Sequence, residues 1–152
     1  MPMPWTYQQA TREWQAFLAD ARDAMNLGSD NAAFTAVEGV FRAFRRRLSV
    51  QQALDFADVL PAVPRALFVA HWRISDQVVP PGTRADWTAE ARALRPDHNQ
   101  TPDNCLIATA FALRRAVLRD DLERVLATLP PFAADFWAVP GHDPASLGPR
   151  IV

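Results

Sequence analysis

The stretch from Phe34 to Trp72 recurs in weaker form from Asp103 to Trp137. Self-similarity at a fixed offset constrains architecture more than any local signal, because each copy is expected to use the same elements. Leu60-Pro61 aligns with Leu129-Pro130 at an offset of 69 residues (Pro61 to Pro130), and Arg45-Arg46 then falls on Arg114-Arg115 without a gap. The apolar positions follow. Val37, Phe41, Phe44 and Leu48 fall on Leu106, Ala110, Leu113 and Val117, and Ala53, Phe56, Ala57 and Leu60 fall on Leu122, Val125, Leu126 and Leu129. Val63, Leu67 and Phe68 meet Phe132, Phe136 and Trp137.

Within each copy the period is helical. Phe34, Val37, Phe41, Phe44 and Leu48 are spaced three and four apart, which predicts one apolar helix stripe with Glu38, Arg42, Arg45 and Arg46 on the opposite side. Ser49-x-x-Gln52 reads as a capping box opening a second helix that buries Ala53, Phe56, Ala57 and Leu60. Pro61 stops that helix, since proline lacks the helical donor and clashes with the preceding turn. Pro61 and Pro64 suit the first turn of a third helix carrying Val63, Leu67, Phe68 and Trp72.

Ahead of the first copy, Tyr7, Ala10, Trp14, Phe17, Ala21 and Met25 keep the same spacing. They predict a long amphipathic helix, started by a Thr6-x-x-Gln9 box and ended by Gly28, with Ser29 to Asn31 as a short turn. Residues 73–85 hold Val78-Val79-Pro80-Pro81-Gly82 and read as the linker between the halves. Asp86 is expected to cap a short helix with Trp87, Ala91 and Leu94, closed by Pro96, and Thr101-Pro102 to start the second copy. Residues 140–152 read as a tail that is ordered only if it docks on the body. The expectation is a single domain over 1–152, an all-α bundle of seven or eight helices, built from similar halves at 6–72 and 86–137 that must pack on each other.

Charge and cysteine content narrow the partners. The formal net charge is −1, which disfavours a globally basic nucleic-acid binder. Every cationic residue other than histidine is arginine, and the single cysteine, Cys105, excludes an internal disulfide and fits a reducing compartment. No apolar run approaches the roughly 20 residues that span a bilayer, and the N-terminus lacks a signal-peptide pattern, so the expected location is cytoplasmic and away from membranes.

The segment Arg45-x-Arg47-Leu48-x-Val50-x-x-Ala53-x-x-x-Ala57-x-x-Leu60-Pro61-x-x-x-Arg65, followed by Trp72, resembles the bacterial helical family called domain of unknown function 2267. The Leu129-Pro130 copy resembles that family's second half, so the likeness covers roughly Trp14 to Trp137. Asp58-Val59 stands where the family usually has Ala-Gln. The resemblance implies an all-α fold and carries no catalytic residues.

Chemistry-bearing residues are sparse. His71, His98 and His142 are scattered, and only a folded-back tail would bring Asp97-His98 to His142-Asp143. Cys105 sits at the margin of the apolar stripe, which suits a small packing residue better than a nucleophile. Asp120-x-x-Glu123 reads as a helix-start signal rather than an acid–base pair. No catalytic residue, metal ligand or cofactor is therefore expected, and the chain reads as a non-enzyme. The basic cluster Arg42, Arg45, Arg46 and Arg47, with Arg114, Arg115 and Arg119 in the second copy, remains. Of these, Arg42, Arg45, Arg46, Arg114 and Arg115 form a candidate anion or partner surface, since guanidinium forks suit phosphate and carboxylate. The leading expectation is a protein-interaction or regulatory module, self-associating or with another protein. Nucleic-acid binding through the arginine faces and a small-molecule or enzyme pocket between the halves are the alternatives. On this reading Arg45 is solvent-exposed and its loss costs little, whereas Phe44 is core.

Overall fold

A computed structural model describes residues 1–149 as nine α-helices and one 3-10 turn, with no strand among the described residues. The helices are α1 (Trp5–Gln8), α2 (Ala10–Ala24), α3 (Asp30–Arg45), α4 (Val50–Asp58), α5 (Ala62–Val69), α6 (Arg84–Ala93), α7 (Cys105–Arg114), α8 (Arg119–Thr128) and α9 (Phe132–Phe136), and the turn is Pro144–Ser146. None of them is long and apolar enough to cross a membrane. The all-α class expected from periodicity is the class observed.

Local chemistry accounts for several boundaries. The Ser29 hydroxyl accepts from the Ala32 amide at 3.2 Å and opens α3. Ser49 and Gln52 form the expected capping box, with reciprocal bonds of 3.2 and 2.9 Å that satisfy two amides at the start of α4. The chain turns at Leu60-Pro61, and Pro61 precedes the first residue of α5.

Tertiary order interleaves the two ends of the chain. α6 packs along α3, and α2 packs along α7. The α3–α6 crossing is close because Gly39 is a glycine. A Cβ at this position would lie 2.3 Å from the Ala91 carbonyl oxygen of α6. Phe44 of α3 is fully buried and meets Phe56, Phe136, Trp137 and Phe132 at ring-centroid separations of 4.8, 4.9, 5.3 and 5.8 Å. The apolar stripe of α3 thus closes over α9.

Several expectations are corrected. Arg45 is buried rather than solvent-facing: its guanidinium donates to the carbonyls of Phe68 and Ala70 at 3.0 and 2.9 Å. The period misleads here because α3 is central and buries more than half its residues, so no wide polar face remains. Phe34, by contrast, is more exposed than its stripe position suggests and stands edge-on to Trp14. Thr6 does not cap α2. Its hydroxyl binds Glu13 and accepts from the Ala62 amide, tying α1 to the start of α5. α2 ends at Ala24, and Asn26, at φ +55°, takes the left-handed position expected of Gly28. α6 starts on Thr83, with Asp86 as the returning partner of its capping box. α7 begins at Cys105, and the buried Thr101 hydroxyl caps nothing. Trp87 of α6 is fully buried in the core, 4.9 Å from the Phe136 ring.

Three substitutions test this packing by chemical denaturation. Phe44→Ala should cost on the order of 3–5 kcal/mol, as loss of a buried aromatic does. Arg45→Ala should cost about 2–3 kcal/mol, because two carbonyls lose their donor in a buried setting; a cost below about 0.5 kcal/mol would return Arg45 to the surface. Gly39→Ala should destabilise by about 1–3 kcal/mol despite alanine's better helix propensity, because α6 must move.

Candidate functional site

Guanidinium groups hold the C-terminal ends of α3, α4, α5 and α9, which decides what the arginine clusters can do. A helix leaves its last four carbonyls unpaired, and short helices make many such ends. Arg45 closes α5 as described. Arg114, 69 residues on, is likewise buried and donates from Nε to the Trp137 carbonyl at the end of α9 at 2.9 Å. Its Nη1 reaches the Glu123 carboxylate at 2.7 Å. Arg65 closes α4, donating to the Ala57, Leu60 and Asp58 carbonyls at 3.1, 3.0 and 3.3 Å. Arg47, buried, donates to the Ala43 and Pro81 carbonyls and pairs with Glu90, so residues 79–82 are pinned to the end of α3. Burial pushes the Arg45 pKa below the ordinary arginine value, and Arg42 adds repulsion. A guanidinium stays cationic all the same.

The candidate surface is therefore divided. Arg45 and Arg114 are inside. Arg42 is partly exposed and 3.7 Å from Glu38, and Arg46 is half-exposed and 2.7 Å from Glu90. Arg115 lies on another side, 3.6 Å from Asp20 of α2. The five residues do not share one face. Asp120 and Asp121 occupy the first turn of α8 as expected of a start signal, while Glu123 serves Arg114. His71 and His98 occupy left-handed turn positions at φ +58° and +54°. Among the described residues no group of three metal-ligating side chains comes together.

Cys105 is wholly buried, and burial pushes its thiol up to about 11. Attack on an electrophile needs the thiolate, so the group is inert in the folded state.

One cleft was not foreseen. It has a volume of about 430 Å3 and lies between α2 and α7, with the start of the tail as its third wall. Phe111 of α7 packs against the His142 ring at 5.5 Å, and the Arg115 guanidinium lies over the Phe111 ring, 5.6 Å from its centroid. Asp20 stands at the Arg115 end, and Ala108 and Val139 supply apolar lining. Sequence reasoning placed Asp20 and Phe111 in separate helices with no signal to join them, and His142 in a tail of undetermined course.

Fold and site together define a class: an all-α domain of short helices whose ends are held by internal arginines. The chain matches, over residues 14–136, the family described as Uncharacterized conserved protein (DUF2267), and it belongs to that family. No curated protein matches it.

Inertness of Cys105 can be tested directly. At about pH 8 a disulfide-exchange reagent should label it only after denaturant is added. Rapid stoichiometric labelling of the native protein would contradict the burial.

Proposed function

We propose that the protein is a non-enzymatic interaction module that docks a protein partner, a second copy of itself or another polypeptide, on its outer helical surface. The observation that carries this reading is on α4. Val50 and Leu54, one turn apart, are 42% and 44% exposed, whereas Ala53, Phe56 and Ala57 of the same helix are buried. Leu118, at the start of the neighbouring α8, is 59% exposed. Apolar side chains aligned on a helix face are the chemistry of helix docking. The alternative, phosphate recognition through the arginine faces, is weakened by the distribution of charge. Arg45, Arg47 and Arg114 are spent on carbonyls, and Arg42, Arg46 and Arg115 each have a carboxylate within 4.0 Å.

The same reading takes the chain as one domain of two similar halves, 6–72 and 86–137. It is supported by recurrence of the Arg45–Phe68 bond as Arg114–Trp137 at the repeat offset. A second reading, a small-molecule binder, is favoured by the cleft between α2 and α7.

Leu54→Glu separates the docking reading from its rivals. The substitution should change stability by no more than about 0.5 kcal/mol, because the side chain already faces solvent. It should nevertheless abolish self-association in sedimentation equilibrium, or capture of the partner that wild type retains. Unchanged association or capture would refute α4 docking. Salt-sensitive micromolar binding to nucleic acid near 0.15 M salt would instead favour the arginine faces.

A further inference from the structure

We propose that the occupant of the α4 surface is a second copy of this chain, in a two-fold dimer that sets α4 of each protomer against the start of α8 of its partner. The inference deepens the docking reading above and rests on it.

Two helix ends carry the wrong charge for themselves. An α-helix is positive at its first turn and negative at its last, so it favours anions at the start and cations at the end. α4 ends on Asp58, a carboxylate at the negative end. α8 begins on Arg119, a guanidinium at the positive end. Both residues are exposed, and neither side chain has an ionic or hydrogen-bond partner among the described residues. Each is unfavourable where it stands, and each is what the other lacks. Brought together across an interface, Asp58 meets a cation at a positive helix end, and Arg119 meets a carboxylate at a negative one. Complementarity of this kind selects a partner and fixes its register.

The apolar residues beside these charges break local rules in the same way. Val50, Leu54 and Asp58 are four residues apart, so they form one outward stripe of α4. Leu118 holds the N-cap position of α8, 59% exposed and without a side-chain cap. A short polar side chain is favoured at such a position, and Ser49 fills it in α4. At the 69-residue offset Val50 and Leu54 fall on Arg119 and Glu123, so the matching positions on α8 are charged. Exposed valine and leucine are thus particular to α4.

α4 packs against α8, so within one protomer the two features lie on neighbouring helices. A two-fold contact is self-complementary and uses both at once. Val50 and Leu54 receive the partner's Leu118 while Asp58 takes the partner's Arg119, and the same contacts form in reverse. Nearby charges are otherwise engaged. Asp55 accepts from the Gln51 amide at 2.8 Å, and Asp121 is held by Arg124 at 2.9 Å. Asp120 lies about 100° round α8 from Arg119.

Sedimentation equilibrium of the full chain tests this. Wild type should show a monomer–dimer equilibrium. Asp58→Arg and Arg119→Asp should each weaken it at least about tenfold, because each sets like charges together at both ends of the contact. Both substitutions suit their own helix dipoles, so the loss cannot be laid to unfolding. An equimolar mixture of the two variants should dimerise as wild type does, since one charge pair is native and the other inverted. The Asp58→Arg/Arg119→Asp double variant should do the same. A monomeric wild type overturns the proposal but leaves α4 docking of another polypeptide standing. A dimer that Leu54→Glu abolishes but the mixture does not restore overturns the pairing of α4 with α8. A dimer indifferent to Leu54→Glu overturns both this proposal and the α4 docking reading.

Discussion

The guanidinium–carbonyl bond is the interaction on which this fold depends. The body is cut into short pieces, with α4, α5 and α9 of nine, eight and five residues. Helices so short are marginal in water by themselves, and each ends in carbonyls that need donors. Arg65, Arg45 and Arg114 supply those donors at the ends of α4, α5 and α9. A guanidinium presents several N–H groups in a fixed fork, so one side chain can serve two or three carbonyls, and its cation also suits the negative end of a helix. Lysine, with its charge at a single point, would not span the Ala57, Asp58 and Leu60 carbonyls as Arg65 does.

Aromatic packing then joins what the arginines close. Because Arg45 ties the end of α5 to α3, Phe68 is held beside Phe41, Phe44 and Phe56 at 5.7, 6.4 and 5.1 Å. Arg114 does the same for Trp137, which stacks on Phe56 at 5.5 Å and stands nearly perpendicular to Phe44. The indole N–H of Trp137 has no hydrogen-bond partner among the described residues. One cluster of rings thus spans α3, α4, α5 and α9. Gly39 brings α6 close enough for Trp87 to add its ring from the far side. Neither the polar bonds nor the ring cluster belongs to one part of the chain.

Much of the helix inventory was legible in the sequence for local reasons. A capping box such as Ser49-x-x-Gln52, or a Leu-Pro break, acts over four residues and leaves a trace in four residues. Misreadings fall where tertiary partners decide. Thr6 looked like a cap because its spacing to Gln9 was right, but Ala62 competes for its hydroxyl. Arg45 looked exposed because periodicity assumes a helix with one buried side, and α3 is enclosed on several. The candidate arginine surface failed to hold together for the same reason. Spacing identifies residues on one side of a helix but does not say whether that side meets water or the carbonyls of a neighbour.

The cleft shows the converse. Asp20 and Arg115 are 95 positions apart, and only the packing of α2 along α7 brings them to 3.6 Å. Interleaving the ends of the chain has this consequence generally: the surfaces left between α2 and α7 draw side chains from distant segments, so no contiguous motif can announce them. Recruitment of arginines to the interior sharpens the effect. With Arg45, Arg47 and Arg114 withdrawn into carbonyl bonds, a chain of formal charge −1 presents fewer cations than its composition implies. Arg115 at the cleft is one cation still partly in solvent, drawn to 3.6 Å from Asp20 by that same packing.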